Sequence, residues 1–120
     1  MLEFAVPVWH RSITGVDRLR LERIQKSALH IILGGQYTSY TSALKYTKLE
    51  SLFQRRKKLC KTFARKSVRN TKFTKWFSTN LKETGTRLTQ PKFSRVYNRT
   101  DRFERSPISY LTNILNKHYK

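Results

Sequence analysis

The sequence predicts an all-α fold: a small three-to-four-helix bundle with a basic, partly disordered C-terminal tail and a short terminal helix. Three observations predict it. Apolar residues recur at helical period through residues 15–33 and again through 51–69. Capping residues stand where helical patterns begin: Thr14, Ser39 and Ser106. Between 78 and 105 the periodicity dissolves into Thr, Asn, Lys and Arg, the composition of a loop or a disordered tract. The domain boundaries read accordingly: a helical domain over 1–77, a basic irregular linker or tail over 78–105, and a short helix over 106–119.

Leu2 to Ile13 is apolar, contains Pro7 and starts without a cap, like the end of a longer helix. Next comes "TGVDRLRLERIQKSALHIILGG", in which Thr14 with Asp17 three residues on resembles a capping box. Leu21, Ile24, Ala28, Ile31 and Ile32 line one face of this helix, with Leu29 and Leu33 outside the stripe. Gly34 supplies the left-handed residue that commonly closes a helix. Ser39 then caps a short helix bearing Ala43 and Leu44 and ending near Thr47.

The stretch "FQRRKKLCKTFARKSVRN", Phe53 to Asn70, holds eight cations and no acid. Plotted at roughly 100° per residue, Leu52, Phe53, Leu59, Cys60, Phe63, Ala64 and Ser67 fill one arc. Arg55, Lys58, Lys61, Arg65, Lys66 and Arg69 fill the opposite one, with Val68 intruding. The apolar arc is expected to pack on the preceding long helix as an antiparallel hairpin. Arg56 falls inside the apolar arc, so it must pair or snorkel. Asp17 is the expected partner, then Glu50, with Glu22 a poor third. Near the end, Ser106 suits an N-cap and Pro107 the first helical position. Ile108, Leu111, Ile114, Leu115 and His118 form a stripe behind them. A helix this short must dock on something.

The formal charge of +19 over 120 residues is unevenly placed, since residues 61–120 hold 15 of the 26 Lys and Arg. Self-repulsion on that scale calls for a polyanionic partner, and nucleic acid leads over an anionic membrane surface. A single Cys60 excludes an internal disulfide and suits a reducing compartment. No secretory signal and no membrane-spanning run is legible. The expected location is therefore intracellular, nuclear or cytoplasmic, and not secreted. His10, His30, Cys60 and His118 share no ligand spacing, so no metal site is expected. Cys60 sits on the apolar arc and reads as a small buried hydrophobe rather than a nucleophile. No Gly-rich phosphate loop occurs. The pattern predicts no catalytic residues, no cofactor and no small-molecule substrate.

The mixture of cations and rings is more informative. "KFTKWF" and "KFSRVYNRTDRF" interleave Lys and Arg with Phe, Trp and Tyr, as binders of single-stranded nucleic acid do. The candidate phosphate-binding residues are Arg55, Lys58, Lys61, Arg65, Lys66, Arg69, Lys72, Lys75, Arg95, Arg99 and Arg102. Candidate stacking residues are Trp76, Phe93, Tyr97 and Phe103. The competing expectation is that Phe73, Trp76 and Phe77 merely cap the helical core. A membrane role is disfavoured, because the aromatics and small residues of the apolar arc suit protein packing.

Five stretches carry a further resemblance: "LEFAVPVWH", "LERIQKSALHIILG", "YTSYTSALK", "LESLFQRRKKLCKTFARK" and "RSPISYLTNILN". In this order and spacing they resemble the segment that follows the polymerase domain in reverse transcriptases of non-LTR (LINE-like, jockey-type) retrotransposons. Three departures are Val6 where Cys is expected, Thr41-Ser42 where an acidic pair is common, and a tract after Trp76-Phe77 that is less regular than in the family. The resemblance implies a small helical region at or beyond the polymerase thumb that helps hold template RNA and target or product DNA. It brings no activity, because the polymerase's aspartate pair and the endonuclease lie outside such a segment. Met1 falls inside what would be a helix of the larger enzyme, so the chain is expected to be a fragment. Two functions follow: non-catalytic nucleic-acid binding, or a structural module that packs on a polymerase domain without binding nucleic acid itself.

Overall fold

A computed structural model of the chain describes residues 3–77, 79, 92–94, 97 and 99–119. Six α-helices occur among them: α1 (Val6–Trp9), α2 (Gly15–Leu33), α3 (Tyr40–Thr47), α4 (Leu52–Arg69), α5 (Asp101–Glu104) and α6 (Pro107–His118). Short 3₁₀ segments follow α2 (Gly34–Gln36) and α4 (Thr71–Trp76). The fold is all-α, and the only β-type pairing among the described residues is an isolated bridge between Thr79 and Phe93. Helix bounds follow the capping chemistry closely. The Thr14, Ser39 and Ser106 hydroxyls each accept a hydrogen bond from the amide three residues on. Gly34 closes α2 at φ +49°, a region that glycine enters without steric penalty.

The chain divides into two compact units. Residues 13–58 form one compact unit, here the inner unit, and residues 1–12 with 59–120 form the other, the terminal unit. The boundary between them falls within α4. Of the tract expected to be disordered, residues 78, 80–91, 95, 96 and 98 lie outside the described residues. Where it is described, order is local: Thr100 caps α5 through the Phe103 amide, and Phe93 is 2% exposed.

In the inner unit α2 is turned by roughly 100° from expectation, and of the expected stripe only Leu21 is half-buried. Leu29 is buried, while Ile24, Ile31 and Ile32 are 52%, 80% and 72% exposed. The inward arc is Arg18, Glu22, Gln25, Leu29 and Leu33, all at helical spacing. Glu22 and Gln25 lie in it because the first amides of α4 need acceptors. Gln25 Oε1 accepts from Leu52 N at 3.0 Å, and Glu22 Oε1 accepts from Phe53 N at 2.7 Å. Those amides have no partner within their own helix, and the carboxylate also meets the positive end of the helix dipole. Tyr40, from α3, donates its hydroxyl to Glu22 Oε2 at 2.7 Å and lies 2.9 Å from Gln25 Oε1. So α2 meets the first turn of α4 through a polar network, with the Arg18 guanidinium 5.1 Å from the Phe53 ring centre. The expected apolar hairpin seam is not what joins them.

Arg56 is buried as its position on the apolar arc predicts, with 1% exposure. Among the described ion pairs its carboxylate is Glu22, the third of the expected candidates, and not Asp17. The guanidinium lies 3.8 Å from Glu22 Oε1, and Nε donates to Leu52 O at 3.1 Å. Asp17 is engaged at the start of its own helix with the Thr14 hydroxyl and Arg20, and Glu50 with Lys58.

The terminal unit holds the larger apolar core: Val6 from α1, Cys60 and Ala64 from α4, Phe77, Phe93, and Leu111 and Leu115 from α6. Val68 joins this core rather than intruding on the cationic arc, whereas Leu59 at the arc's edge is 38% exposed. The α6 stripe holds except at its end: Leu111 and Leu115 are buried, Ile114 packs on the core and Ile108 is half-buried, while His118 is exposed. Ser109, Thr112 and Asn116 are buried as well. Asn116 explains its own burial. Its amide oxygen accepts from Phe93 N at 2.9 Å and its amide nitrogen donates to Phe93 O at 3.1 Å. One side chain thus satisfies both polar groups of a buried backbone unit that has left regular structure.

Candidate nucleic-acid interface

The helical period that buries Cys60, Ala64 and Ser67 forces Lys61, Arg65, Lys66 and Arg69 outward, and all four are exposed. Thr62 shares their face. Thr62, Arg65, Lys66 and Arg69, at relative positions 0, 3, 4 and 7, line a shallow notch of about 160 Å³. At ~30 Å³ per water, that is room for a phosphate group and a few waters. Arg65 is steadied from α6, its guanidinium 3.4 Å from His118 Nδ1. None of the described ion pairs draws a carboxylate to Lys61, Arg65, Lys66 or Arg69. The notch therefore presents three cations and a hydroxyl to solvent. Such a set attracts an anion.

Beyond Arg69 the chain turns at Asn70, whose side-chain oxygen accepts from Lys72 N at 3.0 Å, and enters the Thr71–Trp76 segment. Lys72 and Lys75 are exposed there. Side chains three apart in a 3₁₀ helix eclipse one another, about 6 Å along the axis. Trp76 is 47% exposed and its ring sits edge-on to Phe73, centroids 4.9 Å apart. Phe73 in turn sits edge-on to Phe63 at 6.0 Å, and both phenylalanines pack on the core. Phe77, the next residue, is buried against Phe93.

The remaining candidates scatter. Arg55 and Lys58 lie on the part of α4 that belongs to the inner unit, and Lys58 pairs with Glu50. Arg99 and Arg102 are exposed around α5, while Arg95 lies outside the described residues. Phe93 is corrected outright: held by Asn116 and touching the Phe77 and Tyr119 rings, it is a core residue and cannot meet a base. Tyr97 is 87% exposed and Phe103 45%, and neither takes part in the described ring contacts. Sequence reasoning missed Thr62 and His118. The spacing from Thr62 to Arg69 was legible, but a hydroxyl among cations gives no signal alone. The link from α6 to Arg65 is purely tertiary.

Elsewhere, a larger hollow of about 390 Å³ in the inner unit is lined by Leu33, Gln36, Thr38, Ser42, Ala43 and Tyr46. It offers no cation or carboxylate. Among the described residues no cluster of His, Cys, Asp or Glu has a metal-binding arrangement, and no helix is long and apolar enough to cross a membrane. No family model, curated protein or solved structure matches the chain.

Proposed function

We propose that the chain binds nucleic acid without catalysis, taking phosphates on the exposed cations of α4 and of the turn after it. The observation that carries this reading is the Thr62, Arg65, Lys66 and Arg69 notch, where three cations converge with no carboxylate drawn to them among the described residues. The charge of the unit agrees with it: residues 1–12 and 59–120 hold 16 Lys and Arg against 4 Asp and Glu. On the resemblance of its five stretches, the chain derives from the region after the polymerase domain of a non-LTR retrotransposon reverse transcriptase. Its place is intracellular, nuclear or cytoplasmic, where template RNA and DNA are found. A polymerase domain encoded in frame upstream of Met1 would support that origin; unrelated sequence there would count against it.

The binding test is a titration of labelled RNA and DNA against the purified chain over a range of salt. Each neutralised phosphate contributes about 0.9 to the log–log salt slope on duplex DNA. Replacing Arg65, Lys66 and Arg69 with Gln should therefore lower the slope by roughly 2–3 and weaken binding to all sequences alike. A flat salt response in the unaltered chain overturns the reading. Binding should leave the nucleic acid intact and unextended in the presence of Mg²⁺ and nucleotides.

A second reading rests on a different observation, the outward apolar face of α2. Ile24, Ile31 and Ile32 are all more than half exposed. That face fits a module that docks on a polymerase domain of a parent protein, with no nucleic-acid binding of its own. Salt-insensitive association with such a domain, together with no binding to RNA or DNA at low salt, would favour it.

A further inference from the structure

We infer that the terminal unit is a single-strand binder, in which the α4 notch seats a backbone phosphate and Trp76 is the stacking platform for an unpaired base. The inference rests on the nucleic-acid reading above and sharpens it to one class of ligand. Trp76 differs from the other exposed aromatics in how it is held. Phe63, Phe73 and Trp76 form a ladder of edge-to-face rings climbing from the core to the surface. Burial of Phe77 fixes the backbone on the far side. An indole seated this way has little rotamer freedom left to lose on binding, whereas Tyr97, 87% exposed, must be ordered at the moment of contact.

The cations lead toward that ring in chain order. Arg65 and Arg69 are one helical turn apart, a rise of about 6 Å, and Lys72 and Lys75 repeat an interval of about 6 Å in the 3₁₀ segment. That interval resembles the separation of neighbouring phosphates along one strand. The Asn70 side chain fixes the corner between the two runs. In a duplex the base faces are already stacked on one another, so an exposed indole finds a base only on a single strand or a frayed end. Phosphates alone would leave single and double strands to compete on charge density; the ring breaks that tie.

The test compares three probes on the full-length chain: a labelled oligothymidylate of twelve residues, an abasic oligomer with the same phosphates, and a twelve-base-pair duplex. Wild type should bind the oligothymidylate roughly 5- to 150-fold more tightly than the abasic oligomer, the range set by stacking one base on an aromatic ring. Trp76→Ala should erase that ratio and leave duplex affinity unchanged, and Trp76→Phe should restore much of it. In a Trp9→Phe background, which leaves Trp76 as the only tryptophan of the two, oligothymidylate should quench the indole emission. Equal affinity of wild type for the abasic and base-bearing oligomers overturns the platform and leaves phosphate binding standing. That comparison needs no variant to fold. Loss of single-strand and duplex binding together in a folded Trp76→Ala protein overturns it as well. Absence of binding to all three probes overturns the broader reading along with this one.

Discussion

Removing the Glu22 carboxylate should destabilise the inner unit more than removing any surface charge. Three groups converge on it: the Phe53 amide at 2.7 Å, the Tyr40 hydroxyl at 2.7 Å and the Arg56 guanidinium at 3.8 Å. Arg56 has a side chain 1% exposed and Glu22 one that is 21% exposed, so little water is at hand to replace the carboxylate. Truncating one member of a buried ion pair costs about 3–5 kcal/mol. Glu22→Ala should fall in that range. Glu22→Gln keeps an oxygen for the Phe53 amide but not the charge, and should cost about 1–3 kcal/mol. Urea unfolding followed by circular dichroism at 222 nm measures both. A double-mutant cycle separates the ion pair from the cap. In an Arg56→Met background, the cost of Glu22→Ala should shrink by about 1–2 kcal/mol, because no buried cation faces the gap. Two results would refute this reasoning: a Glu22→Ala cost below about 0.5 kcal/mol, the level of an ordinary surface substitution, or a cost undiminished by Arg56→Met.

Asn116→Ala should cost about 2–4 kcal/mol in thermal unfolding, since it leaves both backbone groups of Phe93 without their side-chain partner; a cost within error of Asn113→Ala, at an exposed neighbouring position, would remove Asn116 from that role. The Tyr40 phenol is held well above its ordinary value of 10.0, by burial first and then by the hydrogen bond to Glu22 and its charge. Its folded-state value is the raised one, so its contribution to stability is complete below pH 10 and is lost as the pH climbs beyond it. Tyr40→Phe should lessen that alkaline loss, measured as the drop in melting temperature between pH 9 and pH 11; an identical drop in the variant would exclude Tyr40 as its source. Cys60 is 0% exposed, so a thiol reagent should label it only as the chain unfolds. Labelling in native buffer at the rate of a small free thiol would show that this face of α4 is not buried.

The sequence is most informative where the relevant physics is local. Thr14, Ser39, Ser106 and Gly34 mark helix ends because a hydroxyl reaches an amide three residues away and a glycine tolerates positive φ. The cationic arc of α4 was legible for the same reason: periodicity fixes which side chains share a face, and Lys61, Arg65, Lys66 and Arg69 do emerge together. Burial of Arg56 followed from that plot too. Its partner did not, because choosing among Asp17, Glu50 and Glu22 requires knowing how α2 turns toward α4.

That turn is what tertiary structure alone decided. Apolar residues occupy more than one face of α2, so periodicity cannot tell which face is buried. The choice falls to hydrogen bonding: the first amides of α4 need acceptors, and rotating Glu22 and Gln25 inward supplies them while Ile24, Ile31 and Ile32 are carried out to solvent. Phe93 shows the same limit. Within a basic, aperiodic tract it looked available to a nucleic-acid base, and only its pairing with Asn116, 23 residues away in the chain, makes it core. Composition and local spacing determined the helices, their ends and the charge they display. Which faces are buried was settled by polar groups distant in sequence, because each buried amide must find a partner wherever the fold can bring one.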